Sequence, residues 1–184
     1  CQSFSEPSAG SDVAGLRSKA VKNGDNWIIN GQKVWTSGAH YSDFGILVVR
    51  HDPDAEKHKG LTFFFLDMKS PGIEVRPIKQ ITGTSNFNEV YFNDVVIPDS
   101  QRLGEIGDGW KVAITTLMNE RLAVGDANGV DVEDAFKLAK KQDDEGDILI
   151  NDGSVRDSIA DWYCEAKGLS NTKLRTMSAL SKGD

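Results

Sequence analysis

The chain has 184 residues, of which 39% are hydrophobic and 27% are charged. That is enough apolar material for one good core, or for one domain and part of another, and too much charge for a fibre or a membrane bundle. Lys plus Arg total 21 against 28 Asp plus Glu, a formal net charge of -7, which argues against nucleic acid because phosphate neutralisation needs a basic surface. The sequence shows no basic apolar leader and no long uncharged apolar run, so neither export nor a membrane span is expected. Two thiols, Cys1 and Cys164, make no disulfide framework and point to a reduced intracellular setting.

In chain order, the first half punctuates like a β protein. Trp27-Ile28-Ile29 is apolar and β-prone, Asn30-Gly31 is a hairpin signal, and Gln32 to Thr36 reads as the returning strand. Gly45 to Arg50 and Leu61 to Met68 are short continuous apolar runs that suit buried strands. Pro71-Gly72 turns the chain before a strand over Ile73 to Ile78. Phe87 to Val96 reads as a strand pair or one long bent strand, closed by Ile97-Pro98. This spacing predicts an antiparallel β-sandwich or barrel over residues 1–104.

After Gly109 the period becomes helical. Trp110, Ile114, Leu117, Arg121 and Val124 share one helix face, and Asp131 to Lys141 suits a second, shorter helix. Gln142 to Gly153 reads as an acidic loop. Ser154 is a candidate N-cap for a third helix, along which Val155, Ile159, Trp162, Ala166, Leu169 and Leu180 form a stripe that needs partners. Residues 105–184 are therefore expected to begin an incomplete helical bundle. With Cys1 in the place of a starting Met, the chain reads as a piece of a longer polypeptide.

Three segments could carry chemistry. Ser5 to Asp12 is dense in small residues and hydroxyls, and Gly10 lets backbone N–H groups approach an oxyanion such as a pyrophosphate. An ordinary polar turn has the same composition. Trp35-Thr36-Ser37-Gly38 puts an aromatic beside two hydroxyls, which suits either a flat heterocycle or a core Trp with capping hydroxyls. Asn119-Glu120-Arg121 sets a carboxylate beside a guanidinium, as a general base with a charge partner or as a solvated ion pair. His40, His51 and His58 fit no zinc spacing, and neither a GxSxG elbow nor a GxGxxG fingerprint is present.

Taken in order, these segments resemble the acyl-CoA dehydrogenase family. Ser5-Glu6-Pro7-Ser8-Ala9-Gly10-Ser11-Asp12 is similar to its S/T-E-P-x-A-G-S-D signature, and Asn30-Gly31-Gln32-Lys33-Val34-Trp35 to its N-G-x-K-x-W segment. Phe87 to Pro98 resembles its F-x-E-V-x-F strands, and Gly107-Asp108-Gly109-Trp110 with Asn119-Glu120-Arg121 resembles the start of its C-terminal bundle. The resemblance implies a middle β domain at 1–104 and the beginning of the C-terminal helical domain at 105–184, with the N-terminal helical domain outside the chain. It implies FAD-dependent oxidation of an acyl-CoA to the trans-2-enoyl-CoA, in fatty acid metabolism and β-oxidation. Gln2, Phe4, Ser5, Gly10 and Ser11 would line the flavin, and Trp35, Thr36 and Ser37 would form a second flavin-contacting segment. Ser11, Met118, Asn119, Glu120 and Arg121 would meet the substrate. Glu120 matches the base position of the isovaleryl and long-chain members, whereas many members take the base from a later segment.

Ser3 and Phe4 depart from the common signature, where a small residue precedes an aliphatic one. The resemblance further implies electron-transfer flavoprotein as acceptor and a homodimer or homotetramer, with weak FAD retention by this piece alone. The setting would be cytoplasmic in a bacterium, or the mitochondrial or peroxisomal matrix in a eukaryote. A nitroalkane oxidase, a flavin monooxygenase or a non-catalytic scaffold on the same fold would share these segments.

Overall fold

The computed structural model describes residues 1–124, 131–142 and 146–182, without the side chains of 122–124. The chain forms two compact units, Cys1–Asn119 and Glu120–Asp184.

The first unit is built on eight strands: β1 (Gln2–Ser3), β2 (Lys19–Asn23), β3 (Asn26–Ser37), β4 (Phe44–Arg50), β5 (Leu61–Asp67), β6 (Ile73–Ile78), β7 (Phe87–Pro98) and β8 (Arg102–Leu103). The sheet order is β6-β7-β3-β2-β4-β5-β8, with β1 paired to β4. Most pairs are antiparallel; β1 and β2 each meet β4 in parallel. The apolar runs of β4 and β5 are continuous because both faces are covered. One face sends Leu47, Val49, Phe64 and Leu66 into a core with Trp27, Ile29, Val90, Phe92, Val95 and Ile97. The other sends Val48 and Phe63 against Phe4, Leu16 and Ala113, with Trp110 and Leu117 packed alongside. Each such large side chain, when fully buried, contributes about 1.5–3 kcal/mol.

One reading of the first half needs correction. The hairpin turn lies at Gly24-Asp25, where Asn23 pairs with Asn26 and Gly24 takes φ +60°. Asn30-Gly31 instead lies inside β3, beside a register shift against β7. Asn30 is held there because its amide donates to Asp94 Oδ1 (2.8 Å) while the Asp94 N–H donates to its Oδ1 (3.0 Å). Strand β2, KAVKN, is mostly exposed and carries no apolar run, so the turn it shares with β3 had no strong signal. Of the two alternatives for Phe87 to Val96, the single long strand is the one formed, and it runs on through Pro98.

Gly31 has a steric reason to be glycine. Its φ is +150°, and a Cβ there would lie 2.7 Å from Ser18 Cα and closer still to the Ser18 side chain. Gly31→Ala is therefore expected to destabilise the full-length protein by about 3 kcal/mol, read from denaturant unfolding. A loss under about 0.5 kcal/mol would show that β2 and β3 can separate freely.

Asp99 ties the far end of β7 back to β3. Trp27 Nε1 donates to its carboxylate at 2.6 Å and Arg102 Nε at 3.1 Å. The Arg102 hydrogen bond, then that of Trp27, hold the Asp99 carboxyl down to about 2. A depressed carboxylate stabilises the fold above its ordinary value of 3.8 and loses that contribution as pH falls through about 2. Asp99→Asn is expected to flatten the acid-side loss of stability across that window. Equal pH slopes for variant and parent, followed by tryptophan fluorescence, would count against this role.

Helix α1 (Gly109–Val124) starts tight against β5, since a Cβ on Gly109 would lie 2.5 Å from Leu61 C. In the second unit, α2 (Val132–Ala139) is capped by Asp131, whose carboxylate accepts from Asp134 N at 2.8 Å. Helix α3 spans Gly153–Ser181. Its N-cap is Asp152 and not Ser154: Asp152 Oδ1 accepts from the N–H groups of Ser154 (2.7 Å) and Val155 (3.3 Å). No residue of α3 is fully buried: of the predicted stripe, Val155, Ile159 and Ala166 are half-buried, and Trp162, Leu180 and Leu169 are exposed, Leu169 at 72%. The Val124 side chain and residues 143–145 of the predicted acidic loop lie outside the described residues. Among the described residues no helix is long and apolar enough to cross a membrane.

Candidate functional site

The Ser5–Asp12 segment leaves β1 and folds as a tight turn. Glu6 and Ala9 exchange both backbone hydrogen bonds, at 2.9 and 3.0 Å, across Pro7-Ser8. Backbone and buried charge together fasten this turn to β3. The Val34 N–H donates to Ser5 O at 2.9 Å. The Lys33 ammonium, fully buried, donates to Glu6 Oε1 at 2.9 Å and to Phe4 O at 3.1 Å. Glu6 is also buried and accepts from the N–H groups of Arg17 (2.6 Å) and Ser18 (2.9 Å).

The electrostatics follow from that burial. Loss of water drives the Lys33 ammonium down to about 8, against the pull of Glu6. Burial alone would raise the Glu6 carboxyl. The Lys33 charge and the hydrogen bonds from Lys33, Arg17 and Ser18 outweigh it and hold the group below its ordinary value.

The outer part of the turn is open. Apart from its chain neighbours, no atom of the described residues lies within 4 Å of where a Gly10 Cβ would stand, and Ser11 is exposed. Asp12 pairs with Lys57 at 2.5 Å on the surface, a contact of about 0–1 kcal/mol. Gln2 and Ser5 are half-buried. The Phe4 ring is buried edge-on to Phe63, with centroids 5.4 Å apart.

Two residues beyond Lys33, β3 changes register against β7 between Lys33 and Thr36. Trp35 sits in this irregularity at φ +60°, a left-handed conformation that costs an L-residue roughly 1–2 kcal/mol. Trp35 is 59% exposed, and its indole and the Phe87 ring meet at nearly a right angle with centroids 6.1 Å apart. The Thr36 side chain is fully buried and its hydroxyl has no hydrogen-bond partner among the described residues, whereas Ser37 is exposed. The fold thus fastens the Ser5 turn to β3 at Lys33 and Val34, directly before the Trp35–Ser37 segment of that strand. On α1, Met118 is half-exposed and the Asn119 amide donates to Thr115 O at 2.8 Å. Glu120 and Arg121 are exposed on the same helix and open the second unit.

Sequence reasoning missed two features. Lys33 reads as a strand-surface charge, and nothing local shows that it is buried against Glu6. Asn88 and Phe87 support the Trp35 segment from β7, and the sequence marked them only as part of a strand motif, without a role at the site.

Comparison with known proteins agrees with this geometry. Residues 1–95 match the model of the acyl-CoA dehydrogenase middle domain, and residues 107–184 that of the acyl-CoA dehydrogenase C-terminal domain. The chain is 53% identical over 140 residues to acyl-CoA dehydrogenase FadE34 of Mycobacterium tuberculosis, covering 75% of this chain and 20% of that one. It is 34% identical to cyclohexane-1-carbonyl-CoA dehydrogenase of Syntrophus aciditrophicus, over 98% of this chain and 52% of the relative. The solved butyryl-CoA dehydrogenase of Megasphaera elsdenii superposes with a TM-score of 0.82 at 26% identity, over all of this chain and 49% of the other. The chain thus spans about half, or less, of these relatives' length. With two consecutive domain models matched along it, and a fold shared from end to end with a solved member, the chain belongs to the acyl-CoA dehydrogenase family.

Proposed function

We propose that this chain is the middle β domain (1–104) and the first part of the C-terminal helical domain (105–184) of an FAD-dependent acyl-CoA dehydrogenase. The reaction is oxidation of an acyl-CoA thioester to the trans-2-enoyl-CoA. The observation that carries the reading is an exposed, left-handed Trp35 beside an open hydroxyl-rich turn, the two fastened together through the Glu6–Lys33 pair.

FAD fits the residues present. Trp35 offers an indole face whose strained backbone has no use in the core, Ser37 and Ser5 offer hydroxyls, and Gly10 leaves backbone open for a pyrophosphate. Gln2, Phe4, Ser5, Gly10 and Ser11 would line the cofactor, and Trp35, Thr36 and Ser37 would form a second contacting segment. Thr36 and Phe4 contribute through their backbones, because both side chains are buried. Bound FAD supplies the acceptor for the two electrons leaving the substrate's β-carbon. Met118, Asn119 and Arg121, with Ser11, line the acyl-CoA, and Glu120 takes the α-proton as general base.

The relatives named above come from bacteria, which favours a bacterial cytoplasm over an organelle. Electron-transfer flavoprotein is the acceptor, and the full-length protein is a homodimer or homotetramer. The test is a visible spectrum of the full-length protein before and after adding butyryl-CoA or cyclohexane-1-carbonyl-CoA. A flavin band that bleaches with either supports the reading. A band that neither thioester bleaches, or no band after incubation with FAD, overturns it.

A further inference from the structure

We propose that Asn88 is a positioning residue for the cofactor: it clamps the backbone at Thr36, so that the irregular turn of β3 presents Trp35 and Ser37 to the flavin. The proposal rests on the FAD reading above.

The starting observation is the strain at Trp35. A bulky residue at φ +60° persists only where its surroundings over-determine it. Those surroundings come from β7. Asn88 lies directly across from Thr36, and Phe87 across from Ser37, immediately after the register shift. Asn88 is fully buried. Its amide donates to Thr36 O at 2.8 Å, and its Oδ1 accepts from His40 Nδ1 at 3.1 Å. One side chain therefore joins the strand just past the irregularity to the turn that follows β3. That turn is itself closed, because Gly38 O accepts from the N–H groups of Tyr41 and Ser42 and Gly38 N donates to Asn86 O.

Phe87 supports the same segment from outside. Adjacent strand residues point to opposite faces, so Asn88 holds the backbone from within while the Phe87 ring packs against the indole. Neither is among the residues expected to touch the flavin. They set the conformation of those that do.

The test uses the full-length protein. Asn88→Asp keeps size and the acceptor toward His40 but cannot donate to Thr36 O. It is expected to raise the FAD dissociation constant about tenfold, the effect of one buried carbonyl losing its donor. The absorption bands of the bound flavin are expected to shift. Phe87→Leu, which keeps an apolar side chain and loses the ring edge, is expected to shift the same bands and provides the answer if Asn88→Asp does not fold. Val90→Ala, in the core of the same strand, is expected to lower the melting temperature while leaving FAD affinity unchanged. The proposal is overturned if Asn88→Asp and Phe87→Leu bind FAD within about twofold of the parent with unshifted bands. It is also overturned if Val90→Ala weakens FAD as much as they do. A parent that binds no FAD sinks the functional reading and this proposal together; normal binding by the variants sinks this proposal alone.

Discussion

Lys33→Met in the full-length protein is expected to lower the free energy of unfolding by about 3–5 kcal/mol. The substitution removes one partner of a buried pair and leaves the other charged. Glu6 would keep its two backbone donors, Arg17 and Ser18, and lose the ammonium that offsets its desolvation. The signature of that mechanism is a reversal in pH dependence. In the parent, the Glu6 carboxyl lies below its ordinary 4.5, so its contribution is present above that value and fades as pH falls through the depressed one. In the variant, burial acts without Lys33 and raises the Glu6 value. A raised carboxyl favours the fold below its unfolded value and disfavours it as pH rises, so the variant should recover part of its lost stability in acid. A second comparison separates charge from packing. Replacing both groups, Lys33→Met with Glu6→Leu, removes the uncompensated charge and should cost less than Lys33→Met alone. Denaturant unfolding across pH decides the matter. A double variant as unstable as the single one would show that the pair matters for shape and not for charge.

Glu120→Gln in the full-length protein is expected to slow bleaching of the flavin by an acyl-CoA about 10²–10⁴-fold, the range for loss of a general base. Glutamine keeps the size of the side chain and its hydrogen-bonding reach, but it cannot accept the α-proton. Binding of the thioester should survive, so the loss should fall on the rate at saturating substrate and leave the concentration dependence nearly intact. Rapid-mixing spectroscopy at several acyl-CoA concentrations separates the two. Bleaching within about twofold of the parent would move the base to another segment of the protein and leave Glu120 as a pocket-lining neighbour of Arg121.

How much of this was legible in the sequence follows from the range of the interactions involved. The strands at Gly45 to Arg50, Leu61 to Met68 and Ile73 to Ile78, and the helices after Gly109, come from periodicity and turn chemistry, which act over a few residues. The Ser5–Asp12 and Trp35–Ser37 segments were readable as signatures because their composition is local. The same dipeptide, Asn-Gly, occurs at 23–24 and at 30–31, and only the first turns the chain. That choice required β2 as a partner and Asp94 across the sheet to hold Asn30 in strand. The burial of Lys33 depended on Glu6, 27 residues away, and the shape of the Trp35 segment on Asn88, 52 residues from Thr36. The sequence by itself determined the apolar strands β4 to β7, the helices and which family they spell. Tertiary structure alone decided which polar groups are buried together and where the backbone is strained, because those energies exist only once distant strands meet and water has left between them.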